Sequence, residues 1–303
     1  MDSKYPTLMN TKITKFDFAN GKHNGRNLAR WYNGEVKVVR QLSDDEEPKF
    51  EAAILKIAEV VHAEWPFRVI EANMDQLANY FEQCEAELSA RPMHIYTDAY
   101  HVEANRHIMN YLSSAGAFID ITESQQKPRM GRKSAEWLRL EAFIAQFKLS
   151  SFGLRFVLGL RNYALHQHLP LGEFNYAAGL KDGIKNKRLT ATFRTKDLLT
   201  DRMWSKELRE EIASKGESID VYPVILESTQ AIAAIQDEIM TLIIPGAVSH
   251  AEFIMNLKAE VLDGEPLIAT ATPTSLTPPR GFKIGLGSLF ADHAQEILRI
   301  AKM

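Results

Sequence analysis

Apolar residues recur at three- and four-residue spacing from Lys49 to His168, and this period most limits what the chain can become. The clearest stretch runs from Phe67 to Leu88, where Phe67, Ile70, Met74, Leu77, Phe81, Cys84 and Leu88 form one stripe. Pro66 and Pro92 bracket it, as expected of residues that cannot continue a helix. Before it, Lys49 to Glu64 carries Ile54, Ile57, Ala58 and Val61 on one face. After it, Asp98 to Asp120 carries Val102, Met109, Leu112 and Ile119, and a turn at Gly131 to Ser134 leads into Ala135 to Leu149. A fifth helix spans Gly153 to His168 and stops at Pro170. Short connections between such helices predict an antiparallel bundle over 45–172, in a chain that is mainly α.

The flanks read differently. Residues 1–44 are irregular apart from a β-like run at Glu35 to Arg40. Beyond Pro170, Arg188 to Arg194 alternates with period two and predicts a strand. Helices resume at Ser205 to Ser214, Val224 to Leu242 and Ala247 to Leu262. Asp263 to Ser288, rich in proline and glycine, reads as a loop with one strand at Leu267 to Thr272, and Ser288 caps a last helix. The expected division is thus an N-terminal segment, the bundle, and an α-rich region over 173–303 with short strands. Cys84, the single cysteine, excludes an intrachain disulfide and a zinc site built on thiolates. The longest uncharged apolar stretch, Met240 to Val248, contains Pro245, and the N-terminus lacks the apolar run of a signal peptide. The expectation is a cytoplasmic protein with no membrane partner.

A net charge of −3 conceals an asymmetry. Residues 41–103 hold 14 acids against four bases. Residues 127–161 reverse this, with Lys127, Arg129, Arg132, Lys133, Arg139, Lys148, Arg155 and Arg161 against Glu136 and Glu141. A second basic stretch covers 181–209. A near-neutral protein with a basic middle can hold a polyanion, because the local field matters more than the total. Solvated helix faces explain the same pattern, so the charge gains meaning only from chemistry placed within it.

Two helices offer such chemistry. On the third, Asn105 falls within the apolar stripe and Arg106 lies beside it. Buried, either side chain needs partners, and Glu103 is a nearby carboxylate. On the fifth, Phe156, Val157, Leu160 and Ala164 share one arc at 100° per residue. A second arc interleaves Arg155, Arg161, Asn162 and His166 with Leu154, Leu158 and Leu165. A helix apolar on nearly every side is covered on nearly every side, here by the C-terminal half or by a second copy. Arg161 brings a permanent charge and a planar fork that fits phosphate oxygens. His166 brings a group that moves protons near neutral pH, in the last turn where the helix dipole favours its charged form. The pair makes a minimal phosphoryl-transfer site that needs no metal and no cofactor.

The run Arg161-Asn162-Tyr163-Ala164-Leu165-His166 resembles the Arg, polar residue, three further residues, His signature of the HEPN superfamily. Glu103 to Ser114 is similar to an upstream helix in some groups of that superfamily. The resemblance covers about residues 45–172. It implies a helical bundle that pairs as a homodimer through the signature helix, and in many members metal-independent cleavage of RNA in toxin–antitoxin or phage-defence systems. It further implies Arg161 as the group stabilising the phosphorane, His166 as acid or base and Asn162 as the residue orienting one of them. Glu103, Asn105 and Arg106 would support the site from the facing helix, and Arg129, Arg132, Lys133 and Arg155 would track a single strand. An antitoxin or other regulatory protein is an expected partner. His168 also fits the looser form of the signature and competes with His166.

Other constellations are weaker. His166 and His168, with His101 and His107, could share a metal only if the helix ended between the first two. Gly281 to Gly287 lacks the lysine and the strand–helix context of a phosphate loop. Cys84 lies on a core face and reads as inert packing. The alternatives to a nuclease are a non-catalytic HEPN-like module that binds nucleic acid or protein, and a helical scaffold protein.

Overall fold

The computed structural model describes residues 15–17, 25–90, 98–181, 184–200, 203–273 and 282–303. The chain is mainly α with a small number of strands, and it divides into two compact units. The first comprises 1–62 and 243–303, and the second 63–242. The expected boundary near 172 therefore lies inside the second unit.

In the first unit, β1 (Lys15–Asp17), β2 (Arg26–Tyr32) and β3 (Glu35–Gln41) precede the start of α1 (Glu46–Ala90). Asn33 and Gly34, both at positive φ, turn β2 into β3, which is the turn geometry that matches the twist of paired strands. From the far end of the sequence come β7 (Glu265–Pro273), β8 (Phe282–Ser288), α8 (Val248–Ala259) and α9 (Ala291–Ile300). The sheet order is β1-β3-β2-β7-β8, with only β1–β3 parallel. Ala29, Val36, Val38, Leu267 and Ala269 form its core. A register shift between Leu28 and Ala29 lets both be buried in succession. The segment read as a loop thus supplies β8, and Ser288 does not cap the last helix. Phe290, in the left-handed region, holds the cap position, and the Ser288 hydroxyl accepts its N–H at 3.0 Å.

Arg40 clamps this unit. Its guanidinium meets Glu46 at 2.7 and 2.8 Å and Glu260 at 2.6 and 2.7 Å. The hydrogen bond from Arg40, more than any other neighbour, holds the Glu46 carboxyl down at about 2 from an ordinary 4.5. A carboxyl depressed on folding stabilises above its ordinary value and loses that contribution as pH falls towards the folded one. Glu46→Gln is therefore expected to cost about 1 kcal/mol at pH 7. Urea unfolding curves of wild type and variant should converge between pH 4.5 and about 2; a gap that persists there excludes the clamp as the cause.

The second unit holds the rest of α1 with α2 (Asp98–Met130), α3 (Ala135–Ser150), α4 (Phe152–His166), β4 (Glu173–Lys181) and β5 (Ile184–Arg194). Short α5 (Thr195–Leu198), α6 (Lys206–Ser214), β6 (Ser218–Asp220) and α7 (Val221–Ile243) follow, α7 ending at the boundary. The strands form a second sheet, β4-β5-β6. Pro66, expected to separate two helices, sits inside continuous α1. A proline there forfeits the bond to His62 and strains the turn at a cost of about 3 kcal/mol. Burial of Ile57 and Val61 before it, and of Ile70, Met74 and Leu77 after it, outweighs that cost. Pro92 lies outside the described residues. Likewise α2 runs ten residues past its expected end, through Pro128, until Gly131 at φ +93° breaks it.

Candidate functional site

The site is built on α4. Ser151 caps its start, the hydroxyl accepting the Leu154 N–H at 3.1 Å. Glu227 of α7 adds a carboxylate that accepts the Ser151 hydroxyl at 3.0 Å and the Gly153 N–H at 2.8 Å, where the helix dipole welcomes negative charge. Phe156 is fully buried, stacked on Trp204 at 5.7 Å and tilted against Phe193 at 5.6 Å. Trp204 also lies so close to Gly159 that a β-carbon there would meet its ring at 2.6 Å. The core side of α4 is thus covered by residues 193–228, which explains why the chain does not divide at 172.

The second arc of α4 is split. Leu154 is buried, and Arg155 is tied to Glu211 of α6 at 2.7 Å. Towards the C-terminus the cover stops: Asn162, Leu165 and His166 are exposed, as are Gln167, His168 and Leu169 beyond the helix. Leu165 and Leu169 leave more than half of their surface in water. The helix ends at His166, so His168 lies outside it, although the fifth helix was expected to run to His168. Arg161 and His166 stand five residues apart, about 7.5 Å along the axis and 140° around it. Among the described residues no hydrogen bond joins them.

Arg161 itself lies against α2. A β-carbon on Gly116 would meet the Arg161 Cδ at 2.5 Å, Nε at 2.7 Å and Cζ at 2.8 Å. One turn on, Asp120 approaches Nη1 at 3.6 Å. Gly116 and Asp120 were not singled out from the sequence. The available signal was a glycine inside a long helical pattern, which usually has a packing reason.

The expected supporting residues lie elsewhere on α2. Asn105 is buried; its amide donates to the His101 carbonyl at 3.0 Å and its Oδ1 accepts the Leu171 N–H at 3.1 Å. It pins the chain that leaves α4. Arg106 pairs with Glu103 at 2.5 to 2.9 Å, which lowers the Glu103 carboxyl below its ordinary value. Arg106 also donates to His107 Nε2 at 2.9 Å, and His107 stacks on Tyr80 at 5.0 Å. Burial first, and the Arg106 charge second, hold His107 below its ordinary pKa, so it accepts as a neutral ring. Ten or more residues of α2 separate this cluster from Gly116, on the order of 15 Å, so Glu103, Asn105 and Arg106 do not touch Arg161.

Asn105→Leu would keep the volume and strand the Leu171 N–H in a buried place. The expected cost is about 2 kcal/mol in urea unfolding. A loss under about 0.5 kcal/mol would show that Leu171 finds another acceptor.

Of the residues expected to track RNA, Arg129, Arg132 and Lys133 are exposed around the turn between α2 and α3. That turn is on the order of 20 Å along α2 from Gly116, so it forms a separate basic patch. Arg155 is committed to Glu211. Among the described residues no three His, Cys, Asp or Glu side chains converge as a metal site. No single helix there is long and apolar enough to cross a membrane.

No family model matches the chain, and comparisons with curated proteins and with solved structures return no match.

Proposed function

We propose that the protein is a metal-independent endoribonuclease of toxin or phage-defence type that acts as a homodimer. The observation that carries this reading is the uncovered end of α4, where Asn162, Leu165 and His166 face solvent beside the α2-held Arg161. Exposed Leu165 and Leu169 give a second copy apolar surface to cover, and a two-fold axis through them would bring two such sets together.

In that pairing the 2′-hydroxyl of the substrate loses its proton to one His166 and its oxygen attacks the adjacent phosphorus. The bond from phosphorus to the 5′-oxygen breaks, and the partner's His166 returns a proton to that oxygen. The products are a 2′,3′-cyclic phosphate and a free 5′-hydroxyl. Arg161 would carry the charge that builds on the phosphorane, which needs donors fixed before the reaction rather than a metal. Asn162 would orient the ring or the phosphate. The basic turn with Arg129, Arg132 and Lys133 would hold the single strand farther along its backbone.

The test is incubation of the full chain with several single-stranded RNAs in EDTA, with the ends of the products identified. Cleavage leaving cyclic phosphate ends supports the reading; a wild type inert on all of them sinks it. One observation favours a second reading: Arg161 and His166 do not touch within one copy, as in a non-catalytic module that binds nucleic acid or protein. RNA retained without cleavage would support that instead.

A further inference from the structure

We propose that Gly116 is a positioning residue for Arg161: the missing side chain on α2 opens a notch that sets where the guanidinium lies. This rests on the ribonuclease reading only for what the guanidinium does, not for where it sits.

Three observations carry it. The Arg161 Cδ, Nε and Cζ all lie at 2.5 to 2.8 Å from where a β-carbon of residue 116 would stand, closer than side chains approach one another. The whole neck of the side chain therefore crosses the helix at that residue. Second, Gly116 lies deep inside a 33-residue helix, where glycine is worse than alanine for the helix itself. Third, the ion pair is too weak to fix the group: Asp120 is 69% exposed and its oxygen is 3.6 Å from Nη1, the kind of contact that water screens. Shape, not charge, holds the arginine.

The consequence is chemical. An arginine has five N–H donors in one plane, and its use at a developing phosphorane depends on that plane being fixed beforehand. Seated on Gly116, with Nη1 towards Asp120, Arg161 keeps about a third of its side-chain surface in water. Its remaining donors are thereby available without a search through the rotamers of a free side chain. A β-carbon at 116 would meet the outer part of that flexible side chain, from Cδ to Cζ, which can swing away. Gly116→Ala should therefore displace the guanidinium while leaving α2 folded and every charge in place.

The experiment is a double-mutant cycle in the full chain: wild type, Gly116→Ala, Arg161→Ala and both together, followed by thermal midpoint and by cleavage of single-stranded RNA in EDTA. In the Arg161→Ala background the notch is empty, and Gly116→Ala should raise the midpoint by about 2–4 °C as alanine replaces a helical glycine. In the presence of Arg161 the same change should leave the midpoint unchanged or lower it. An equal shift in both backgrounds overturns the seat. On activity, Gly116→Ala should lower kcat about tenfold or more with KM within about threefold, as for a misplaced group and not a lost contact. Asp120→Asn should cost less than Gly116→Ala. A Gly116→Ala enzyme with wild-type kcat overturns the positioning role. If the wild type cleaves nothing, the ribonuclease reading alone falls, and the midpoints still decide the seat.

Discussion

Arg161→Ala is expected to abolish RNA cleavage in EDTA, by about 10³-fold or more in kcat, while the chain stays folded. The size follows from its task, since removing one fixed donor from a site of developing negative charge typically costs about 10²–10³-fold, and a full positive charge goes with it here. Folding should survive because Arg161 is partly exposed and its ion pair with Asp120 is long. His166→Ala should cost about 10²–10⁴-fold through loss of proton transfer. His168→Ala separates the two histidines of the signature: His166 ends α4, whereas His168 lies in the irregular segment that follows. A loss at His168 as large as at His166 would move the proton-transfer role beyond the helix. Equal rates for wild type and all three variants would leave α4 without a chemical role.

The largest expected effect on stability is at Phe156→Ala. Phe156 has no exposed surface and touches Phe152, Phe193 and Trp204 with ring separations of 5.3 to 5.7 Å. Truncation there should cost about 3–5 kcal/mol, the transfer of a large ring plus the cavity it leaves. For a unit of this size the midpoint should fall by about 10 °C or more. The measurement is paired thermal and urea unfolding. A cost below about 1 kcal/mol would mean that Trp204 and Phe193 collapse into the gap, and that α4 is joined to them only loosely. The same contacts imply that a chain cut after 172 loses the cover of Phe156, and with Lys215 part of that of Phe152.

How much of this was legible follows the range of the forces involved. The apolar stripes placed α3, α4 and α7 within a few residues, and the start of α2, because burial along one side of a helix leaves a local period. Pro66 misled because a local rule was overridden by burial on both sides of it. Asn33-Gly34 was a hairpin signal in plain view, and it would have found β2; its apolar run (Leu28, Ala29) lacks the alternation of a strand because of the bulge. The candidate site divides in the same way. Arg161, Asn162 and His166 lie on one helix, so their spacing could be read. Asn105 and Arg155 stand out as polar residues on helices with apolar stripes, yet their partners, Leu171 and Glu211, are 66 and 56 residues away, and no spacing rule reaches that far. Gly116 carried a local signal without a local explanation, since its reason is a side chain on another helix.

The order of the strands in the first sheet has a consequence for how the chain is made. Leu28 of β2 pairs with Ile268 of β7, although the second unit lies between them in sequence. During synthesis at about 5–20 residues per second, the β2–β3 hairpin waits roughly 10–50 s for its neighbour. Throughout that time β2 offers an unpaired edge, and Ala29, Val36 and Val38 lack the β7 residues that complete their core. The second unit can close meanwhile from its own residues. A ribosome that stops between residues 242 and 265, with the second unit already made, therefore leaves the β2–β3 hairpin as the part that sticks to other chains.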